Sequence, residues 1–426
     1  MKEEEFKNDL RYDINERPPI MLSIVLALQH VFAMFGATVL VPILVNKEAG
    51  MEVLPISVAL FGSGIGTLIY QFITKRKSPV YLGSSFSFII PVIIATKNAG
   101  PGAAYTAIMV VGILYVLIAF VIKMIGMNWI EKLFPPIIIG PMIAIIGLGL
   151  ASTAVEQMGL SGNNFDWRNL VVSIVTFLSA AIISLKGKGF TKIIPFLVAL
   201  VVGFITSMFL GLIDLTTVKE ATFFSIPNFK IAFVDYNLDF SFLIAIIPVS
   251  LVTISEHIGD HSVLSNIVNK NLLKDPGLHR TLIGDGIATF FSAFIGGPAN
   301  TTYGENTGVI GLTRIASTFV VCLAAIFAII LAFFNKFIAL IACIPDPVFG
   351  GISILLFGLI ASNGLRVLID NQVDFSKNRN LIICSAMLVI GLGGAVIQIN
   401  SVSSLTGMGL SAIVGILLNI ILPKEE

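Results

Sequence analysis

The sequence predicts an all-α polytopic membrane protein with 14 transmembrane segments in two inverted 7-segment repeats, and short extended stretches before half-helices in segments 3 and 10. Composition is the first ground. Of 426 residues, 56% are hydrophobic and 12% charged, with a mean hydropathy of +0.96, whereas a soluble domain carries about 25% charged residues. That excludes a soluble enzyme, a nucleic-acid binder and a disordered scaffold. The apolar residues fall in long runs divided by short polar breaks, as in helical multi-pass proteins; a membrane barrel shows alternating segments of about ten residues instead. Charge is the second ground. With the N-terminus cytoplasmic and the loops alternating, only Lys47, Lys97, Arg168, Lys219, Lys230 and Lys336 of 26 basic residues fall outside, which satisfies the positive-inside rule. A miscounted middle segment would swap the later loops, so both termini are expected in the cytoplasm and the chain in the cell membrane. The third ground is an echo between the halves. Gln29-His30 in segment 1 answers Glu256-His257 in segment 8, and Ser84-Ser85-Phe86 in segment 3 answers Thr301-Thr302-Tyr303 in segment 10.

A hydrocarbon core of about 30 Å needs about 20 helical residues, and the segments follow on that ruler. A polar tail over 1–19 has no cleavable signal pattern, so segment 1, at 20–45, is expected to stay in the protein. Segment 2 spans 53–74 and carries Gly62-Ser63-Gly64-Ile65-Gly66, a mark of close helix packing. Segment 3, at 79–96, is short and broken by Gly and Ser. Segments 4 to 7 lie at 103–123, 133–153, 168–185 and 193–213, and segments 8 and 9 at 240–263 and 281–296. Segment 10, at 299–312, is again short and broken, by Pro, Thr and Gly. Segments 11 to 14 span 315–334, 338–361, 380–397 and 405–422, with Gly391-Leu392-Gly393-Gly394 as a second packing cluster. Short interrupted segments at matching places of two halves point to a transporter's binding site, because backbone leaves the helix only where it lines a protected cavity. The paired Ser and Thr residues there predict extended backbone before a half-helix. Cys322, Cys343 and Cys384 sit inside apolar runs without metal spacing and read as small buried hydrophobes; neither metal nor cofactor is expected.

Three acids stand where acids are costly. Glu256, Asp260 and Glu305 fall in the membrane interior, at about 2.5–3.5 kcal/mol each at a helix centre. Glu256 and Asp260 share one helix face at i,i+4. A structural ion pair is the plain alternative, but no Lys or Arg lies mid-segment nearby, which leaves His30, His257 and His261 as partners. The functional reading is a substrate site that takes up a proton, since close, desolvated carboxyls can hold one near neutral pH. Asp285, five residues after Arg280, reads as interfacial. A channel would need a continuous polar pore, and an intramembrane enzyme a nucleophile–base pair or a metal cluster; neither pattern is present.

These residues resemble the nucleobase–ascorbate transporter family, nucleobase:cation symporter 2, and within it the bacterial uracil carriers. The family's segment-10 signature reads here Glu305-Asn306-Thr307-Gly308-Val309-Ile310-Gly311-Leu312-Thr313-Arg314. Gln29-His30, Tyr81-Leu82-Gly83-Ser84-Ser85-Phe86, Ser255-Glu256-His257-Ile258-Gly259 and Asp275-Pro276-Gly277-Leu278-His279-Arg280 match as well. The resemblance covers the chain from about Glu16 onward. It implies a core domain of 20–123 and 240–334, a gate domain of 133–213 and 338–422, and a homodimer formed by the gates in the lipid bilayer. It further implies that Glu256 and Glu305 hold uracil, with contacts from Phe86, Ser85, Tyr303 and Gly304, and that transport is coupled to a proton through Asp260, Glu256 and His30. One position departs from the family pattern: some uracil carriers have His where this chain has Asp260, and purine-carrying relatives often have Asp. Purine carriers commonly have Gln at the position of Glu305. A xanthine, urate or other purine carrier and a sodium-coupled nucleobase symporter are the alternatives. The chemistry agrees with uracil: two N–H donors and two carbonyl acceptors match carboxyls that accept when ionised and donate when protonated.

Overall fold

The computed structural model describes residues 10–423 apart from 127, 161–164, 189–190, 192–193 and 400–403, and the side chains of 131 and 245 are left aside. Residues 1–9 of the expected tail therefore lie outside the described residues. The chain opens with α1 (Ile20–Ala49) and α2 (Ile56–Ile73). It then runs extended through β1 (Leu82–Ser84) and a 3-10 turn at Phe86–Phe88 into α3 (Ile89–Ala99). Next come α4 (Pro101–Ile125), α5 (Asn128–Leu133), α6 (Pro136–Gly149), α7 (Ala151–Gln157), α8 (Trp167–Lys186), α9 (Pro195–Phe209) and α10 (Thr216–Glu220). The second half follows with α11 (Leu243–Val268), α12 (Leu278–Phe294), β2 (Asn300–Thr302), α13 (Gly304–Thr313), α14 (Thr318–Ala332) and α15 (Asn335–Ala342). It closes with α16 (Asp346–Asp370), α17 (Asn378–Leu392), β3 (Val396–Gln398), β4 (Ser404–Thr406) and α18 (Gly407–Ile421).

Local chemistry sets many of these boundaries. Proline in the first turn starts α4, α6, α9 and α16, where its missing N–H costs nothing and its φ is already helical. Gly50, at φ 71°, ends α1 with its N–H on the carbonyls of Asn46 and Lys47. Asp166 caps α8 by accepting the N–H of Arg168.

Six helices among the described residues are long and apolar enough to cross a bilayer, counting α6 and α7 as one, or seven if α14 and α15, bent by 81°, form one crossing. Large apolar side chains such as Phe72 (85% exposed), Leu185 (83%) and Phe209 (86%) point outward, which suits lipid and not water. Every expected apolar segment meets one or more helices, with corrections at the edges. Segment 12 begins at Asp346 and not at 338, because Pro345 and Pro347 separate it from the independent helix α15. Segment 13 stops at Leu392. Beyond the glycines, β-branched Val396 and Ile397 enter β3, which pairs antiparallel with β4.

Packing sorts the helices into two groups. In one, α12 lies on α4 and α2, and α14 lies on α2 and α1; in the other, α16 lies on α6, α7, α8 and α9, and α17 lies on α18 and α6. Each group has a glycine-to-glycine crossing. A Cβ on Gly286 would lie 2.6 Å from the carbonyl oxygen of Gly112, and a Cβ on Gly364 would lie 2.5 Å from that of Gly140, so these backbones approach as only glycine permits. The Gly62–Gly66 cluster does the packing expected of it, against Ser292, Ala325 and Asn300. Between the groups runs α11, in contact with α4 on one side and with α6 and α18 on the other.

Candidate functional site

The two interrupted segments meet. β1 and β2 pair antiparallel with Leu82 opposite Thr302, Gly83 opposite Thr301 and Ser84 opposite Asn300. Two further backbone bonds close the ends, from Tyr303 N to Tyr81 O at 3.1 Å and from Ser85 N to Ala299 O at 2.9 Å. Ser63 and Thr67 of α2 both donate to the carbonyl of Leu82, so the strand pair is bolted to one helix group. The first turn of α13 has no side-chain cap, which leaves its leading N–H groups without intrahelical partners.

Tyr303 is buried, and its side chain holds the pair together. Its hydroxyl donates to Ser84 O at 3.0 Å and lies 3.3 Å from the Thr38 hydroxyl. Its ring covers Gly83, where a Cβ would fall 2.3 Å from Cε2 and Cζ. We expect Gly83→Ala to lower stability by about 1–3 kcal/mol, the usual cost of overpacking, and to abolish substrate binding with it. Thermal unfolding in detergent checks this; an unchanged midpoint with normal uptake contradicts it.

Glu256 and Asp260 lie on one face of α11, half-buried, and Glu305 stands half-buried in the first turn of α13. The side chains of Glu256 and Glu305 hydrogen-bond to no other described residue. Asp260 accepts the Thr302 hydroxyl. The expected histidine partners go elsewhere. His257 Nδ1 is 2.9 Å from Asp285 Oδ2, and its Nε2 is 3.0 Å from Thr281 Oγ1. His261 donates from Nδ1 to His257 O at 2.7 Å and faces the Tyr70 hydroxyl with Nε2, also at 2.7 Å. Thr281 already donates to Leu278 O, so it receives the His257 Nε2 proton. The remaining proton of the pair lies between His257 Nδ1 and Asp285. Asp285, whose place near Arg280 suggests an interfacial residue without a partner, is 1% exposed and paired with His257. His30 receives Asn306 Nδ2 at 3.1 Å on both its Nδ1 and its carbonyl. It reaches Glu305 through the neighbouring Asn306 and not by a bond of its own.

Open space borders the acids. A Cβ added to Gly259, Gly304 or Gly308 meets nothing within 4 Å. Phe86, in the turn that packs against α11, lies edge-to-face with Phe357 of α16 at 6.0 Å and 78°. The hydroxyls of Ser84, Ser85, Ser87 and Thr301, together with Asn306 Oδ1 and Gln29 Oε1, are buried without a hydrogen-bond partner among the described residues. Each such atom costs about 1–3 kcal/mol, and a cluster of them marks a place built for something other than stability. No group of His, Cys, Asp and Glu among the described residues is arranged to hold a metal ion. The sequence reading singles out Thr302 for its extended backbone but not as the partner of Asp260, and it does not single out Phe357. Thr302 was legible from strand alternation, while Phe357 comes from a distant apolar helix with no polar signal.

Apolar helices clothed in exposed hydrophobic side chains, around a polar crossing of two half-helices, define a multi-pass membrane transporter. The chain belongs to the permease family: the family model Xan_ur_permease, described as "Permease family", matches residues 21–400. It is 49% identical over 415 residues to the uracil permease of Bacillus caldolyticus, covering 96% of this chain and 94% of that one. It is 45% identical to the uracil permease of Bacillus subtilis strain 168 (99% and 97% covered) and 44% to that of Escherichia coli K12 (96% and 93%). All three carry permease names, and none is named as an enzyme. Among solved structures, the transmembrane domain of the cyanobacterial bicarbonate transporter BicA superposes with a TM-score of 0.62 at 14% identity, covering 94% of this chain and 97% of that one. The murine anion transporter Slc26a9 in its inward-facing state gives 0.67 at 12%, covering 96% and 69%. At such low identity these structures share the fold alone.

Proposed function

We propose that the protein imports uracil by proton symport, with the base held at the membrane midplane between Glu256 and Glu305. The observation that carries this reading is the pair of half-buried carboxyls, neither side chain hydrogen-bonded to another described residue, with Glu305 in the uncapped first turn of α13 and open space at Gly259, Gly304 and Gly308. Uracil's N–H groups suit the carboxylates in charge-assisted bonds worth about 1.5–3 kcal/mol each. Its carbonyls suit backbone N–H groups at the start of α13, around Tyr303 and Gly304, and the orphaned Ser85 hydroxyl. Its ring stacks on Phe86. The near-identity in length and the 44–49% identity to three uracil permeases support the substrate.

In this reading the chain crosses the membrane fourteen times, as two inverted sevens with both termini cytoplasmic. The core is 20–123 with 240–334, and the gate is 133–213 with 338–422; the two packing groups and the antiparallel β1–β2 pair support that division. Core and gate separate to alternate access, and the gates pair in a homodimer. A half-exposed ion pair, Lys47 to Asp346 at 2.8 Å, is the one salt bridge joining the groups among the described residues; at about 0–1 kcal/mol it does not oppose their motion. Asp260, Glu256 and His30 serve proton coupling. A proton crossing 100 mV releases about 2.3 kcal/mol, enough at ~1.4 kcal/mol per decade to hold a gradient of about 40-fold in a neutral base.

Cells producing the protein are expected to accumulate labelled uracil, with excess unlabelled uracil abolishing the signal and equal xanthine or urate sparing it. Suppression by a purine at the potency of uracil moves the substrate to the purines, the reading that Asp260 favours.

A further inference from the structure

We infer that Thr302 is the positioning residue of the proton site: its hydroxyl sets when Asp260 gains and loses its proton and ties that event to the base-binding start of α13. This rests on the reading above that Asp260 takes part in proton coupling. The observation is the isolation of Asp260. Among the described residues its hydrogen-bond partner is the Thr302 hydroxyl, and no cation faces it.

The surrounding elements bear this out one by one. On α11, Glu256 stands one turn before Asp260, and His257 and His261 are engaged with Asp285 and Tyr70. From α13 comes Glu305; from α12 comes Asp285, while His279 and Arg280 sit in its first turn. Tyr115 of α4 is bonded to Thr253, and Lys123 lies in that helix's last turn. β1, β2, α6, β4, α18 and the Phe86–Phe88 turn contain no charged residue. In the turn after α11, Asp275 is taken by Lys77 at 2.8 Å, and Lys274 of that turn is exposed.

A threonine suits this place for a chemical reason. Its hydroxyl donates to an ionised carboxylate and, by rotation, accepts from a protonated one, so the link survives both states while favouring the charged one. Thr302 is 3% exposed, and strand alternation turns it toward α11 while Thr301 turns away. Its backbone is fixed opposite Leu82 in the strand pair. Tyr303, Gly304 and Glu305 follow it directly, so a change at Asp260 reaches the base site through three residues.

The test is the pH profile of labelled-uracil uptake in proteoliposomes for the series Thr302→Ser, Thr302→Cys and Thr302→Val, with Asp260→Asn beside it. Serine keeps the donor, cysteine weakens it, and valine removes it at equal volume. Valine makes ionised Asp260 less favourable, so the high-pH midpoint of uptake is expected to rise by about one pH unit, equivalent to about 1.4 kcal/mol. Cysteine is expected to fall between, serine to match the wild type, and the KM for uracil at low pH to change less than about threefold. A wild-type midpoint for valine, or equal loss of uptake in serine and valine, overturns the inference. Should valine not fold, the cysteine midpoint decides the matter in the same way. Asp260→Asn separates the two levels. If it keeps proton-driven accumulation, the coupling role of Asp260 fails; if it loses it while valine stays at the wild-type midpoint, only the role of Thr302 fails.

Discussion

Replacing Glu305 with glutamine is expected to weaken uracil binding about tenfold, with the protein folded and in the membrane as before. A hydrogen bond to a carboxylate contributes about 1.5–3 kcal/mol and a neutral one about 0.5–1.5, so the lost charge is worth about 1.3 kcal/mol, and ~1.4 kcal/mol is one decade. Glutamine has the same length and a similar helix propensity. Because the Glu305 side chain hydrogen-bonds to no other described residue, removing its charge leaves no buried cation unpaired. The neighbouring Asn306–His30 bonds do not depend on it, and the start of α13 loses only a favourable charge near the helix N-terminus, about 0.3–1 kcal/mol. Equilibrium binding of labelled uracil to purified protein measures the effect. Wild-type affinity in Glu305→Gln removes that carboxyl from the base site.

Asp260→Asn is expected to abolish accumulation against a gradient while leaving equilibrium binding within a few-fold and exchange across the membrane active. Asparagine keeps a carbonyl oxygen for the Thr302 hydroxyl, so geometry is preserved and only the ability to carry a proton is lost. In energetic terms the variant forfeits the ~2.3 kcal/mol that each proton releases per 100 mV and becomes a facilitator. Accumulation equal to wild type in Asp260→Asn contradicts the role given to Asp260.

What was legible in the sequence followed from physics that acts locally. The apolar runs and the two broken segments were visible because lipid punishes exposed backbone wherever it occurs, and Ser84-Ser85 and Thr301-Thr302 do form or adjoin the paired strands. The face shared by Glu256 and Asp260 followed from helical spacing alone. What was not legible depended on contacts far apart in the chain. The pairing of Asp285 is not readable beside Arg280, because nothing in its own segment reveals that His257, 28 residues earlier, turns toward it. Phe357 lies in an apolar helix and acquires meaning only from the approach of α16 to Phe86. The β3–β4 pairing is not visible in the sequence because Val396 and Ile397 continue an apolar run, and neither composition nor period distinguishes a short apolar strand from a helix end. The break between α15 and α16 is readable in principle from Pro345 and Pro347, which lie inside the expected segment 12.

The most direct test of the account is labelled-uracil uptake into proteoliposomes of the purified protein under an imposed inward proton gradient, with and without a protonophore and in the absence of sodium. The account predicts accumulation above equilibrium that the protonophore abolishes. Accumulation that requires sodium, or none at all from protein shown to be folded, contradicts it.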